Sequence, residues 1–222
     1  MVGPRVKSYF LEYGLKKTMI DEFLSSYFKE AGYSQVTLYK TPVGYRLIIY
    51  AEYPGRFIGR GGSVLKKLTE IIQNHFGLEN VGITVSPAPD PDLDARIVAF
   101  RIVRALEKEI PYRKVARAML RRVMVAGASG AEIVISGKLR GERAKYEKFR
   151  AGVVYKSGES TDYIVDRAVA KALLKPGVLG VEVVIVKPGV PPPDHIELKP
   201  TEVKVEEKIE VSSSSGGGGS EA

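Results

Sequence analysis

The chain has 222 residues with no cysteine and only two histidines, which excludes disulfide bonds and argues against a metal site built from these ligands. The formal net charge is +8, but four basic and seven acidic residues lie from Lys187 onward, so residues 1–186 carry 30 basic and 19 acidic residues, a net charge of +11. This charge favours a polyanionic partner, and without a basic amphipathic helix or a long apolar run we expect nucleic acid rather than membrane.

The first half of the chain predicts a helix, a β-hairpin, a second helix and a closing strand. Apolar residues recur at helical spacing from Met19 to Phe28, and the strand-like runs SQVTLYK and YRLIIYAEY follow, joined by the turn TPVG. The second helix comes after a glycine-rich turn and has an apolar side formed by Val64, Leu65, Leu68, Ile71, Ile72 and Phe76. The segment VGITVS then closes the unit as a strand.

The segment PAPDPDLD marks a boundary, because prolines are not accommodated inside helices or central strands. We expect a helix to start at Pro91 with Asp90 as its cap, and another to start after Pro111. The following elements are expected to be the strand AEIVIS, the basic connection GKLRGERAKYEKFR, the strand AGVVYKS, a helix over DYIVDRAVAKALL and the strand VEVVIVK. Together they predict a second α+β domain.

The stretch RFIGRGGSVLKKL holds a glycine-rich turn that opens the second helix. It is not a Walker phosphate loop, which needs lysine directly after its last glycine, whereas Ser63 and Val64 follow Gly62. A G-x-x-G turn at a helix start lets main chain approach a sugar-phosphate backbone; the alternative is a tight turn alone. The predicted RNA-binding residues are Arg56, Ile58, Gly59, Arg60, Gly61, Gly62, Lys66 and Lys67.

The helix expected after Pro111 is basic, with five basic residues and no acidic one between Pro111 and Ala131. Arg113, Arg117 and Arg121 recur every four residues, so they share a face and repel one another. A solvated surface is the alternative interpretation, but it would include interspersed acids. A phosphate chain along this face would convert the repulsion into affinity through counterion release.

The order helix–strand–strand–GRGG–helix–strand resembles a type II KH domain, whose loop holds about four nucleotides. The segments GRFIGRGGSVLKKLTEIIQNHFG, VAGASGAEIVISGKLRGERAKYEKFRAG and GVLGVEVVIVKPG together resemble the small ribosomal subunit protein three family in its archaeal and eukaryotic form, over roughly residues 3–188. The resemblance implies an α+β fold: an N-terminal type II KH domain with a three-stranded sheet, then a second α+β domain with a small sheet and two long helices. The segments expected are an extension over 1–16, the KH domain over 17–87, a linker over 88–91, the second domain over 92–188 and a tail over 189–222, whose composition favours disorder.

The resemblance also implies a function. We expect a structural constituent of the small ribosomal subunit that binds ribosomal RNA in the subunit head, lines the messenger RNA entry channel and contacts neighbouring head proteins. Its expected location is the cytoplasm, on the ribosome, with no catalytic centre, cofactor, metal or membrane contact. The alternatives are a non-ribosomal KH-type RNA-binding factor and, less favoured, a DNA-repair lyase or endonuclease.

Two further groups of residues follow from the family. Arg113, Lys114 and Arg117 in YRKVAR match its messenger RNA entry residues, although the bacterial pattern has arginine where Lys114 stands; Arg121 is added because it shares the helical face. For ribosomal RNA contact, mainly to phosphates, the resemblance implies Lys138, Arg140, Arg143, Lys145, Lys148 and Arg150. A mobile solvated loop is the alternative for this second group.

Overall fold

The computed structural model describes residues 6–78, 80–159 and 161–189. Its first sheet has the strand order β1-β2-β3, with bounds Tyr33–Thr41, Gly44–Ala51 and Val81–Pro87. Strands β1 and β2 form an antiparallel hairpin, and β3 lies parallel to β2. The predicted hairpin and closing strand are therefore confirmed.

Three helices accompany this sheet: α1 (Val6–Tyr27), α2 (Pro54–Ile58) and α3 (Ser63–Phe76). Their apolar sides and the inner face of the sheet form one core, which includes Ile20, Leu24, Leu47, Ile49, Phe57, Leu68 and Ile72. Helix α1 begins well before the predicted start at residue 19 and runs without a break past residue 17. The predicted segment boundaries at residues 16, 87 and 91 stay predictions.

The second sheet is fully antiparallel, with the strand order β5-β4-β7-β6. Its strands are β4 (Gly130–Gly137), β5 (Lys145–Gly152), β6 (Val165–Leu174) and β7 (Gly177–Val186). Helices α4 (Ala95–Glu107) and α5 (Tyr112–Val125) pack on one face of it around a second core, and a short helix, α6, covers Thr161–Ile164. The predicted mixed α+β fold with two long helices and a small second sheet is confirmed.

The helix predicted over DYIVDRAVAKALL was wrong, because most of this segment forms strand β6. Alanine and lysine favour helices, which made the segment look helical. Its buried residues instead alternate: Ala170 and Ala172 face the core, while Val169 and Leu173 point outward. Pairing with β7 along all ten residues of β6, and packing of its small alanines against the core, override the local preference.

Two other boundaries moved. Helix α4 begins at Ala95 rather than at Pro91, because the Asp94 side chain, not that of Asp90, accepts hydrogen bonds from the Arg96 and Ile97 amides. The strand predicted over AGVVYKS lies earlier, at Lys145–Gly152, so part of the predicted basic connection is strand β5. It pairs with β4 from Gly137↔Lys145 to Gly130↔Gly152, and this non-local register decides its position.

Two predictions fall outside the described residues: the disorder of the tail, apart from residue 189, and the first five residues of the N-terminal extension. Within the described ranges, no helix is both long enough and apolar enough to cross a membrane.

Candidate nucleic-acid interface

The glycine loop (Gly59, Arg60, Gly61 and Gly62) joins α2 to α3 in a short 3₁₀ turn. All three glycines have positive φ angles, of 71°, 60° and 76° in chain order, a region that other residues rarely adopt. The Gly59 amide donates to the Gly55 carbonyl at 2.9 Å, and the Gly62 amide donates to the Gly59 carbonyl at 3.3 Å. The loop is thus a defined turn whose shape depends on glycine.

Only one of these glycines is needed for internal packing. A Cβ atom on Gly59 would lie 2.5 Å from Cγ2 of Val64, whereas Cβ atoms on Gly61 and Gly62 would meet no atom of the described residues within 4 Å, apart from their chain neighbours. Gly59 therefore allows α3 to pack closely after the turn. Gly61 and Gly62 leave an open main-chain surface on the outside of the loop, where no side chain stands between the main chain and a ligand.

Positive charge surrounds this open surface. Arg60, Lys66 and Lys67 are exposed, and the first turn of α3 carries neither an acidic residue nor a side-chain cap. The helix start therefore offers its partial positive charge outward, as helix starts that bind phosphates do. The loop is suited to an anionic backbone.

Two flanking residues on α2 complete the predicted set. Ile58 is 41% exposed, so it offers an apolar surface on which a base can pack. Arg56 is exposed, and its guanidinium carbon lies 5.6 Å from the centroid of the Tyr53 ring. The structure brings all eight predicted residues to one continuous α2–loop–α3 segment; their binding roles stay predictions.

The basic face of α5 (Arg113, Lys114, Arg117 and Arg121) lies opposite the buried side of that helix. All four side chains are exposed, while Val115, Ala116 and Val123 are buried against the second core. The spacing at i, i+3 and i+4 places the four cations side by side, as the sequence indicates. The two long helices of the second domain therefore differ: α4 includes the acidic residue Glu107, whereas α5 exposes a basic face and contains no acidic residue.

Arg113 is nevertheless held by an acid of the same protein. Its Nε and Nη2 donate to the two Glu147 carboxylate oxygens on β5 at 3.0 and 2.8 Å, and the Tyr112 hydroxyl donates to the same carboxylate at 2.8 Å. The hydrogen bonds from Arg113 and Tyr112 lower the pKa of Glu147 to about 2, so the pair stays ionised at neutral pH. The charge of Arg113 is largely compensated.

The fifth basic residue of α5 is also paired: Arg122 Nε lies 3.0 Å from Asp92 Oδ1. Lys114, Arg117 and Arg121 have no ion-pair partner among residues 6–78, 80–159 and 161–189. Sequence reasoning missed Glu147 and Asp92 as partners, because neither the 34-residue nor the 30-residue separation carries a local signal.

The basic hairpin (residues 137–152) holds the third predicted set. Lys138, Arg140 and Arg143 lie in the exposed turn between β4 and β5, while Lys145, Lys148 and Arg150 lie on the edge strand β5 rather than in a loop as predicted. All six are exposed, and Lys148 Nζ lies 3.3 Å from Oε1 of Glu132.

The two aromatic residues of the hairpin, Tyr146 and Phe149, differ in their burial. Tyr146 is 71% exposed, which suits stacking on a base, whereas Phe149 packs against the second core. Across the part of the chain that the structure describes, no group of three or more His, Cys, Asp or Glu side chains is placed to hold a metal ion.

Comparison with known proteins places these features in a family. Residues 19–86 match the family model "KH domain", and residues 102–185 match "Ribosomal protein S3, C-terminal domain". The chain is 72% identical over 207 residues to small ribosomal subunit protein uS3 of Staphylothermus marinus, covering 93% of this chain and 92% of that protein. The chain belongs to the uS3 family.

Other uS3 proteins agree along nearly the same length. Identity is 53% to that of Sulfurisphaera tokodaii, over 87% of this chain and 86% of that protein, and 46% to that of Methanocaldococcus jannaschii, over 86% and 91%. The expected family and the N-terminal KH domain are confirmed. These relatives are named as proteins of the small ribosomal subunit, a structural role, which confirms the prediction of a non-catalytic protein.

Proposed function

We propose that this uS3 family member is a structural constituent of the small ribosomal subunit that holds RNA at three surfaces. The glycine loop binds an RNA backbone, the basic hairpin binds ribosomal RNA phosphates in the subunit head, and the basic face of α5 lines the path by which messenger RNA enters. The protein also contacts neighbouring ribosomal proteins of the subunit head.

One observation carries the proposal: Lys114, Arg117 and Arg121 lie together, exposed and without an internal ion-pair partner in the described ranges, on a helix with no acidic residue. Three clustered cations repel one another, so a polyanion that neutralises them releases this repulsion together with its own counterions. The other two basic residues of α5 already have carboxylate partners and serve as an internal comparison.

Salt dependence tests the basic face directly. The triple variant Lys114→Gln, Arg117→Gln, Arg121→Gln should bind single-stranded RNA more weakly. Its plot of log K against log salt concentration should be shallower by about 2, since each phosphate contact on a single strand contributes roughly 0.7. The control on the same helix is Arg113→Gln combined with Glu147→Gln, which removes the internal ion pair without changing the net charge and should lower the slope much less. Equal losses per residue would contradict the proposal.

A second measurement assigns the face to messenger or ribosomal RNA. Small subunits carrying the triple variant should assemble and sediment normally but translate messages with stable hairpins near the start more slowly than unstructured messages. If assembly fails first, α5 is instead an anchor for ribosomal RNA. If the unaltered protein stays out of small subunits at low salt, the ribosomal role itself is wrong.

The glycine loop has its own test. Arg60→Asp with Gly61→Asp should weaken RNA binding without unfolding the protein. Aspartate tolerates a positive φ, and a Cβ at Gly61 would clash with none of the residues that the structure describes. The neutral pair Arg60→Asn with Gly61→Asn is the matched control for side-chain size, and it should retain more affinity than the acidic pair. Unchanged binding by the acidic pair would exclude the loop as an RNA contact.

A further inference from the structure

Several polar contacts join α4 and its cap to the KH region, which is defined as residues 19–86 that match the KH family model. The two hydrophobic cores share no residue among those described. Charged and polar side chains of α4 and its cap contact the KH region. Arg96 Nη1 donates to Asp21 Oδ1 of α1 at 2.8 Å, Ser34 of β1 donates to the Asp94 carboxylate, and Arg101 donates to Glu52. Because hydrogen bonds are directional, such contacts define an orientation more narrowly than apolar packing does.

Arg101 is the most enclosed of these cations. Its Nη2 and Nε donate to Glu52 Oε1 at 2.9 and 3.2 Å, and its Nη1 donates to Asp92. The side chains of Arg101 and Glu52 are only 11% and 9% exposed. Burial raises the pKa of Glu52, but the hydrogen bonds and charge of Arg101 lower it overall, so the pair is ionised at neutral pH.

A glycine makes room for this pair. At Gly32, which has a φ of 68°, a Cβ would lie 2.6 Å from Cβ and 2.8 Å from Oε2 of Glu52. A side chain at this position would therefore clash with Glu52 unless the backbone or Glu52 shifted. The position of the carboxylate is thus determined by its surroundings as well as by its partner.

The ion pairs extend from one proposed RNA surface toward the other. Glu52 comes two residues before α2, which leads directly into the glycine loop. Asp92 accepts from both Arg101 and Arg122, and Arg122 directly follows Arg121 of the basic face. A chain of ion pairs, Glu52–Arg101–Asp92–Arg122, therefore joins the segment that carries the glycine loop to the last turn of α5.

We propose that Arg101 is a positioning residue that holds the glycine loop and the basic face of α5 at a set distance and orientation, so that one continuous RNA engages both. This inference rests on the proposed function. When two surfaces bind one ligand, the second contact is intramolecular, and its advantage depends on the geometry that separates them. The planar guanidinium of Arg101 bonds to both Glu52 and Asp92, so its removal breaks the link to the glycine-loop side and the link to the α5 side together.

The first test compares three RNAs on the full-length protein: an eight-nucleotide oligouridylate, a short hairpin, and the two joined covalently. The unaltered protein should bind the joined RNA at least about 100-fold more tightly than either part. Arg101→Met should lower that ratio about tenfold while each part binds within about twofold of normal. Lys175→Met is the control, because it breaks an exposed pair with Glu109. A normal ratio in Arg101→Met, or no advantage in the unaltered protein, would overturn the proposal.

The second test needs no RNA. The chain has no cysteine, so cysteines introduced at exposed Gln73 on α3 and Val125 on α5 can carry spin labels selectively. Pulsed electron resonance should give a narrow distance distribution that Arg101→Met broadens or shifts and Lys175→Met leaves unchanged. Should Arg101→Met fail to fold, Arg101→Lys keeps the charge but loses the fork, and it should broaden the distribution to a smaller extent. An unchanged distance distribution in a folded Arg101 variant would refute the positioning role. The proposed function fails in a different way, namely if the acidic glycine-loop variant and the triple variant of the basic face both bind RNA normally.

Discussion

The glycine loop and the basic face of α5 both present cations to solvent, but they are built in different ways. The loop depends on residues close in sequence: three glycines with positive φ angles, the Val64 side chain and the uncapped start of α3. The basic face depends on residues far away in sequence, because Glu147 and Asp92 decide which arginines of α5 form an ion pair within the described part of the chain. A count of basic residues therefore gives a good measure of the positive charge available at the glycine loop, but it overestimates the charge available on the basic face of α5.

The largest expected effect is a loss of stability that differs between Gly59 and Gly61 of the same loop. Gly59→Ala should lower the free energy of unfolding by about 3 kcal/mol, because φ 71° with ψ 177° is open almost only to glycine and a Cβ would also meet Val64. Gly61→Ala should cost only about 1 kcal/mol, for its positive φ alone. Urea unfolding followed by circular dichroism measures both. Equal losses would show that neither the backbone conformation of Gly59 nor its contact with Val64 distinguishes the two positions.

A smaller effect tests whether Glu147 masks Arg113. Glu147→Gln should release Arg113 to the basic face, raise RNA affinity a few-fold and steepen the salt dependence by about 0.7. Glu142→Gln is the matched control, since it changes the net charge equally in the neighbouring exposed turn without freeing Arg113. If both variants raise affinity equally, net charge alone accounts for the gain.

The smallest effect concerns acid stability. The pKa of Glu147 is lowered from 4.5 to about 2 by its bonds to Arg113 and Tyr112, so the ionised form favours the folded state. Its contribution to stability is present above about pH 4.5 and is lost as the pH falls through about 2. The difference in urea midpoint between the unaltered protein and Glu147→Gln should therefore shrink between pH 6 and pH 2.5. A difference that stays constant with pH would mean that the ion pair contributes nothing.

Much of the fold could be predicted from sequence because its signals are local. The apolar spacing of α3, the turn between β1 and β2 and the proline that precedes α5 all marked their elements correctly. Predictions failed where a distant partner decides the outcome. Ala168, Ala170 and Ala172 favour a helix by residue type, but pairing with β7 places them in a strand. Lys145 and Lys148 were predicted to lie in a loop, but pairing with β4 places them in strand β5.

The same division applies to the candidate interface. The sequence by itself determined the glycine loop, the acid-free helix and the family to which the chain belongs, since these depend on residue types and their spacing. Only the tertiary structure decided that Arg113 and Arg122 are paired while Lys114, Arg117 and Arg121 find no ion-pair partner among the described residues, and that Arg101 joins Glu52 to Asp92. The physical reason is that ion pairing acts over a few ångströms, and the chain separations of 9 to 49 residues involved here are closed only by folding.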